Sequence, residues 1–164
     1  MQISKGSHEH TGAAANFWNV KAQDSESWWY GSPATTGEAI ADFLARGFSL
    51  VVAIDGDQLI GFGIWNGPDL IGFTATNVEA FYRMMRVWCL ENPGQRGLSV
   101  IPARDTTEKQ WMDALGVIEV SPLGYKPLKP GDDQAARKPW TYRADADLDA
   151  MLAALDMQLA EMSR

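Results

Sequence analysis

The stretch SLVVAIDGDQLIGFGIW, residues 49–65, constrains this chain more than any other part of it. Two apolar runs flank Asp55-Gly56-Asp57, and an Asp-Gly pair supplies the positive φ angles that a tight hairpin turn demands. The spacing predicts paired antiparallel strands over 49–54 and 58–65. Asn66-Gly67-Pro68 predicts the next turn, and 69–74 a third strand. Gly61-Phe62-Gly63 lies inside a strand and not ahead of a helix. It therefore argues against a dinucleotide-binding loop, and for relief of crowding or a bulge.

Around this meander the apolar period becomes helical. Residues 10–25 form one predicted helix, and GEAIADFLARGF at 37–48 a second, with Ile40, Phe43 and Leu44 on one face and Gly47 as its stop. In the run 77–90, Val78, Phe81, Tyr82, Met85, Trp88 and Cys89 share a face, and Asn77 stands where a side-chain cap is needed. Residues 97–103 read as a buried strand. Asp105 then caps a helix through Leu115, with Gly116 ending it. IEVSPL and WTYRA read as the last strands, and four of the eight prolines lie from Pro122 to Pro139, so their connection is long and irregular. With QIS as a short opening strand, the order is β-α-α-β-β-β-α-β-α-β-β. That is an α+β class with a mixed, mostly antiparallel sheet.

The tail follows a different rule. Leu148, Leu152, Leu155, Leu159 and Met162 keep an alternating four-three spacing, with Asp147, Asp149, Asp156 and Glu161 mostly off the seam. A helix this short is marginal alone, so it must dock on the domain or on another chain. The expected organisation is a domain over 1–143 and an acidic amphipathic helix over 144–164, whose seam is the candidate interface.

Composition narrows the function classes. The 164 residues carry a formal net charge of −7, which disfavours broad electrostatic binding to nucleic acid. With 46% hydrophobic residues the chain can build a core, yet no apolar run approaches a membrane span and the N-terminus lacks a signal-peptide core. One cysteine excludes an internal disulfide, and two histidines with one thiol argue against structural zinc. The expected compartment is a reducing cytoplasm, or a particle assembled in one.

That element order resembles the GCN5-related N-acetyltransferase (GNAT) fold, a mixed sheet split by a V-shaped opening. ARDTTEKQWMDALGV looks like the family's late helix, with Leu115-Gly116-Val117 in place of its Leu-Gly-Phe ending and Asp105 where Asn is usual. VVAIDGDQLIGFGIW resembles its second and third strands, with Gly61 at the customary glycine. Small acetyltransferase-like proteins of short-tailed bacteriophages, one of them an internal virion protein, fit more narrowly. They carry a Trp-Leu pair where this chain has Trp111-Met112, and a Gly-Thr-Asp-like segment where it has Thr74-Ala75-Thr76-Asn77.

The resemblance implies acetyl-CoA as cofactor of an active member, its pyrophosphate on a glycine-rich loop opening the central helix. Here that place is held by Thr74, Ala75, Thr76, Asn77 and Val78. There is no arginine and no glycine pair, and Glu79 adds a like charge. The tyrosine that many members use to protonate the leaving thiolate matches Met112, which has no such proton. Tyr82, Tyr125 or Tyr142 would have to substitute. Glu119, the one carboxylate inside the penultimate strand, is the candidate base; the plain alternative is a solvated outward carboxylate.

The remaining motifs are weaker. His8 and His10 read as a solvated turn, and Cys89 as a small buried hydrophobe. A Gly-x-Ser-x-Gly elbow is absent. Trp28, Trp29 and Trp65 sit at loop or strand ends, where interface anchors occur. Lys126, Lys129, Arg137 and Lys138 gather between Tyr125 and Trp140, as a solubilising loop or a contact for an acidic neighbour. The expectation is a catalytically degenerate, phage-type protein that acts by self-association or with virion proteins, without cofactor, metal or nucleic acid. An active acetyl-CoA-dependent N-acetyltransferase is the alternative, and a phage-encoded host-interaction protein the third.

Overall fold

A computed structural model describes residues 1–24, 35–102, 107–122 and 141–164. Its elements are β1 (Gln2–Lys5), a 3-10 turn (His8–His10), α1 (Thr11–Asp24), α2 (Gly37–Ala45), β2 (Ser49–Asp55), β3 (Gln58–Asn66) and β4 (Asp69–Ala75). They continue with α3 (Val78–Glu91), β5 (Arg96–Pro102), α4 (Thr107–Asp113), β6 (Ile118–Pro122), β7 (Thr141–Asp147) and α5 (Leu148–Met162). The strands form a four-stranded sheet in the order β1-β2-β3-β4 and a three-stranded sheet in the order β5-β7-β6. Every ladder among the described residues is antiparallel. Edge strands β4 and β5 lie beside each other but in different sheets, and α3 crosses from one to the other.

The hairpin forms where the Asp-Gly pair predicts it, with Gly56 at φ +63° and Ser49 opposite Trp65. Period-two alternation then sends neighbours to opposite faces. Leu50, Val52, Phe62 and Ile64 pack with Ala14, Ala15 and Ile40 under α1 and α2. Val51, Ala53 and Trp65 face the other way, toward Phe81, Met84, Met85 and Trp88 of α3. The strand glycines make room: a Cβ on Gly63 would stand 2.2 Å from the Phe73 ring, and one on Gly97 would meet the Trp88 ring at 2.7 Å. Phe73 uses that space to meet Phe81 edge-on, ring centres 5.2 Å apart.

Helix α5 belongs to the same core. Asp147 caps it by accepting from the amides of Asp149 and Ala150. Leu148 and Leu155 are fully buried and Met151 nearly so, in one cluster with Trp88 and Met85. Leu152 and Leu159 pack at its margin, while Met162 is 39% exposed. Arg86 of α3 donates to Asp156 at 2.7 Å, and the Gly94 amide to Asp149 at 3.0 Å. The expected boundary between 143 and 144 therefore falls inside β7, and the heptad seam is covered by the chain's own α3. Within the single chain Leu148 and Leu155 are already closed to water against α3. Burying each such leucine contributes roughly 1.5–3 kcal/mol, which explains why the apolar face docks inward.

Trp65 needs correcting too. It is 2% exposed, and its indole N–H donates to Glu91 at 3.0 Å, so it is a core residue and not an interface anchor. Trp28, Trp29, Asp105 and the 125–140 segment lie outside the described residues.

Candidate functional site

The place to look is where the two sheets part, at the end of β4. One residue of β3, Ile60, is bulged out of the β2 ladder between Leu59 and Gly61. Its carbonyl accepts from the Thr76 amide at 2.8 Å and from the Thr76 hydroxyl at 3.1 Å. This holds the chain as it leaves β4 and turns into α3. Asn77 then caps the helix, its side chain accepting from the Ala80 amide at 2.9 Å. Thr74 and Ala75 are fully buried, Val78 packs against the core, and Thr76 and Asn77 are exposed. The five residues of the expected phosphate site are thus together, but as the closing turn of a strand.

They do not fit a pyrophosphate. One amide at the helix start is already used by Asn77, and Thr74 and Ala75 are buried in the end of β4. Glu79 stands in the first turn, and the nearby Arg83 guanidinium is turned to it at 2.9 Å. A dianionic ligand would meet a carboxylate where it needs a cation.

What sequence reasoning missed is a buried charged cluster beside this turn. The Thr74 hydroxyl donates to Glu108 at 3.0 Å. Lys21, reaching from α1, donates to the Ala75 carbonyl at 2.6 Å and pairs with the same Glu108 oxygen. The Glu108 side chain is 6% exposed and that of Lys21 25%. The Phe17 ring lies 5.9 Å from the ammonium. Helix α1, the end of β4 and the start of α4 are thereby tied at one point. The signal available in the sequence was slight: Ala14, Phe17, Trp18 and Lys21 follow helical spacing, so a cation stands on an apolar face. Nothing local points to Glu108, 87 residues away.

The other candidates fall elsewhere. Met112 is 2% exposed and sits in the core. Tyr82 is buried and donates to the Trp111 carbonyl at 3.0 Å, and burial raises its phenol above the ordinary value. Both features make it a poor proton donor to a ligand. Glu119 lies in β6 opposite Ala144, with its side chain outside the described residues, as is that of Tyr142; Tyr125 lies outside them altogether. The Cys89 thiol is buried and pushed up to about 12, first by desolvation and then by Asp149 and Asp156, which makes it inert. His10 accepts from the Ser7 amide at 3.0 Å in a turn. No group of three metal-ligating side chains occurs among the described residues, and no helix among them is long and apolar enough to cross a membrane.

No family model matches the sequence, and no curated protein matches it. The solved structures do. Ribosomal-protein-alanine N-acetyltransferase from Brucella melitensis superposes with a TM-score of 0.68 at 14% identity, over 90% of this chain and 99% of that one. The Salmonella typhimurium protein yncA, solved with its cofactor acetyl-CoA, gives 0.65 at 11% identity over 90% and 94%. Aminoglycoside 6'-N-acetyltransferase from Enterococcus faecium gives 0.61 at 13% over 90% and 97%. At these identities the match establishes one thing: the chain has the GNAT acetyltransferase fold, a mixed α+β arrangement, over 90% of its length.

Proposed function

We propose that this chain keeps the acetyltransferase scaffold without its catalysis and works through contacts with other protein subunits, as a virion or assembly component. The observation that carries the reading is the end of β4. In place of a phosphate-binding turn stands a helix start carrying Glu79, and beside it Lys21 and Glu108 neutralise each other. The likeness of Trp111-Met112 and Thr74-Ala75-Thr76-Asn77 to small phage virion proteins supports the finer role, in a host cytoplasm and then a particle. With α5 committed to the core, the contact surface is sought elsewhere than the leucine seam.

The test is calorimetric titration with acetyl-CoA and with CoA on protein of known oligomeric mass. The expected result is no binding at millimolar ligand. Micromolar binding would overturn the reading.

One observation favours a second reading, an active acetyl-CoA-dependent N-acetyltransferase. The described chain covers nearly the full length of enzymes named for N-acetylation. Glu119 would then serve as base and Tyr125 as acid, and CoA would lie against Thr74 to Val78. Micromolar binding abolished by Thr76→Glu would support it.

A further inference from the structure

The chain has five asparagines, Asn16, Asn19, Asn66, Asn77 and Asn92, and of these Asn66 alone precedes a glycine. The structure sets it apart as well. The carboxamides of Asn19, Asn77 and Asn92 are engaged, by the Thr35 backbone, the Ala80 amide and the Trp88 carbonyl. Asn16 lies within α1 and is followed by Phe17. Asn66 and Gly67 are both exposed, at the two-residue turn that joins β3 to β4. Among the described residues neither the Asn66 carboxamide nor the Gly67 amide has a hydrogen-bond partner. Gly67 stands at φ +58° and has no Cβ to crowd its nitrogen. The same turn is tied to the core: the Gly67 carbonyl accepts from the Trp88 indole at 3.2 Å, and that ring is closed to water.

We propose that Asn66-Gly67 is a site of spontaneous covalent modification, at which the side chain deamidates and the turn is released from α3. Hydroxide takes the proton of the Gly67 amide, and the nitrogen attacks Cγ of Asn66. The new Cγ–N bond closes a succinimide ring, and the carboxamide nitrogen takes a proton from water and leaves as ammonia. Water then opens the ring. Breaking the bond to Cγ gives aspartate. Breaking the bond to the main-chain carbonyl carbon gives isoaspartate, with an extra carbon in the backbone ahead of Gly67. Water is the only co-reactant, and nothing is oxidised or reduced. Asp55-Gly56 has the same glycine neighbour, but a carboxylate is a poorer electrophile than a carboxamide, so Asn66 reacts first. Either product places a carboxylate opposite Asp69 in the ladder, and like charges directly opposite destabilise a strand pair. The isoaspartyl form also moves the Gly67 carbonyl and leaves the buried Trp88 indole without its acceptor.

The experiment is incubation of the full chain at neutral and at mildly alkaline pH, followed by digestion on the N-terminal side of aspartate and mass spectrometry. That cut releases 57–68, which holds Asn66 and no other asparagine. Aspartate at 66 is recognised by a further cut to 57–65, whereas isoaspartate stays in 57–68 with one added mass unit. Both are expected to accumulate with time, faster at the higher pH and ahead of any change at the other four asparagines. Neither is expected in Asn66→Gln. The thermal midpoint is expected to fall as isoaspartate accumulates, below that of fresh Asn66→Asp, which carries the charge without the extra carbon. Wild type unfolded in denaturant is the control for the digest. Modification there with none in the folded chain would overturn the proposal, because the turn would then protect the pair. So would earlier change at another asparagine, or an aged protein that melts no lower than fresh Asn66→Asp, because the turn would then still be held to α3.

Discussion

The two flanks of the four-stranded sheet are held by different means. On the α3 and α5 side the centre of the contact is apolar, with Trp88, Met85, Leu148 and Leu155 all closed to water and the Arg86–Asp156 pair at its exposed margin. On the α1 side the packing gives way, at the end of β4, to a lysine, a glutamate and a threonine bonded to one another. Apolar packing is non-directional and tolerates many partners, whereas a buried ion pair admits few geometries. The first flank is therefore where stability resides. The second is held by contacts of fixed geometry.

Deleting 148–164 attacks the first flank most severely. It strips Leu148, Met151 and Leu155 from the core, and the expected outcome is loss of cooperative unfolding by circular dichroism, not a smaller oligomer. A folded, cooperative truncated protein would break the contrast. Leu155→Ala is a milder version, expected to cost about 2–5 kcal/mol in denaturant melts by leaving a cavity under α3. Gly97→Ala pushes a methyl against Trp88 and Leu148, and an overpacking cost of about 1–3 kcal/mol is expected from the same melts.

The legible part of the fold was the part written in short range. Asp55-Gly56 and Asn77 mark a turn and a cap whose partners lie within a few residues, and both form as expected. Element order and fold class followed from such signals. The passage from β4 into α3 over Thr74 to Val78 lies where the strand and cap signals put it, but the Ile60 bulge that holds Thr76 is a cross-strand feature without a local mark. Trp65 was misjudged for a related reason: a strand end looks exposed until the helix that covers it is known.

On the second flank the effects are smaller. Glu108→Ala leaves Lys21 and Thr74 without their shared acceptor, and about 1–3 kcal/mol is expected in chemical denaturation. An effect as large as that of Leu155→Ala would erase the contrast.

The smallest effect sharpens the comparison from the surface. The Arg96 hydrogen bond holds the Asp145 carboxyl below its ordinary value at an exposed site. A depressed carboxylate contributes stability above its unfolded value, about pH 4, and the contribution fades as pH falls through the folded one. Wild type and Arg96→Met should therefore differ slightly in thermal midpoint at neutral pH and converge in acid. A difference that grows on acidification would refute the assignment.

The sequence by itself determined the order of the elements, the hairpin, the caps and which face of each helix is apolar. Those properties depend on backbone preference and on spacing within a few residues. Only the tertiary structure decided what covers each face. The four-three seam of α5 records that one side avoids water, but the same seam suits a second chain or the chain's own α3. Tertiary structure also decided that Lys21 meets Glu108. Their attraction exists only after three elements converge, and no periodicity along the chain records a contact made at that distance in sequence.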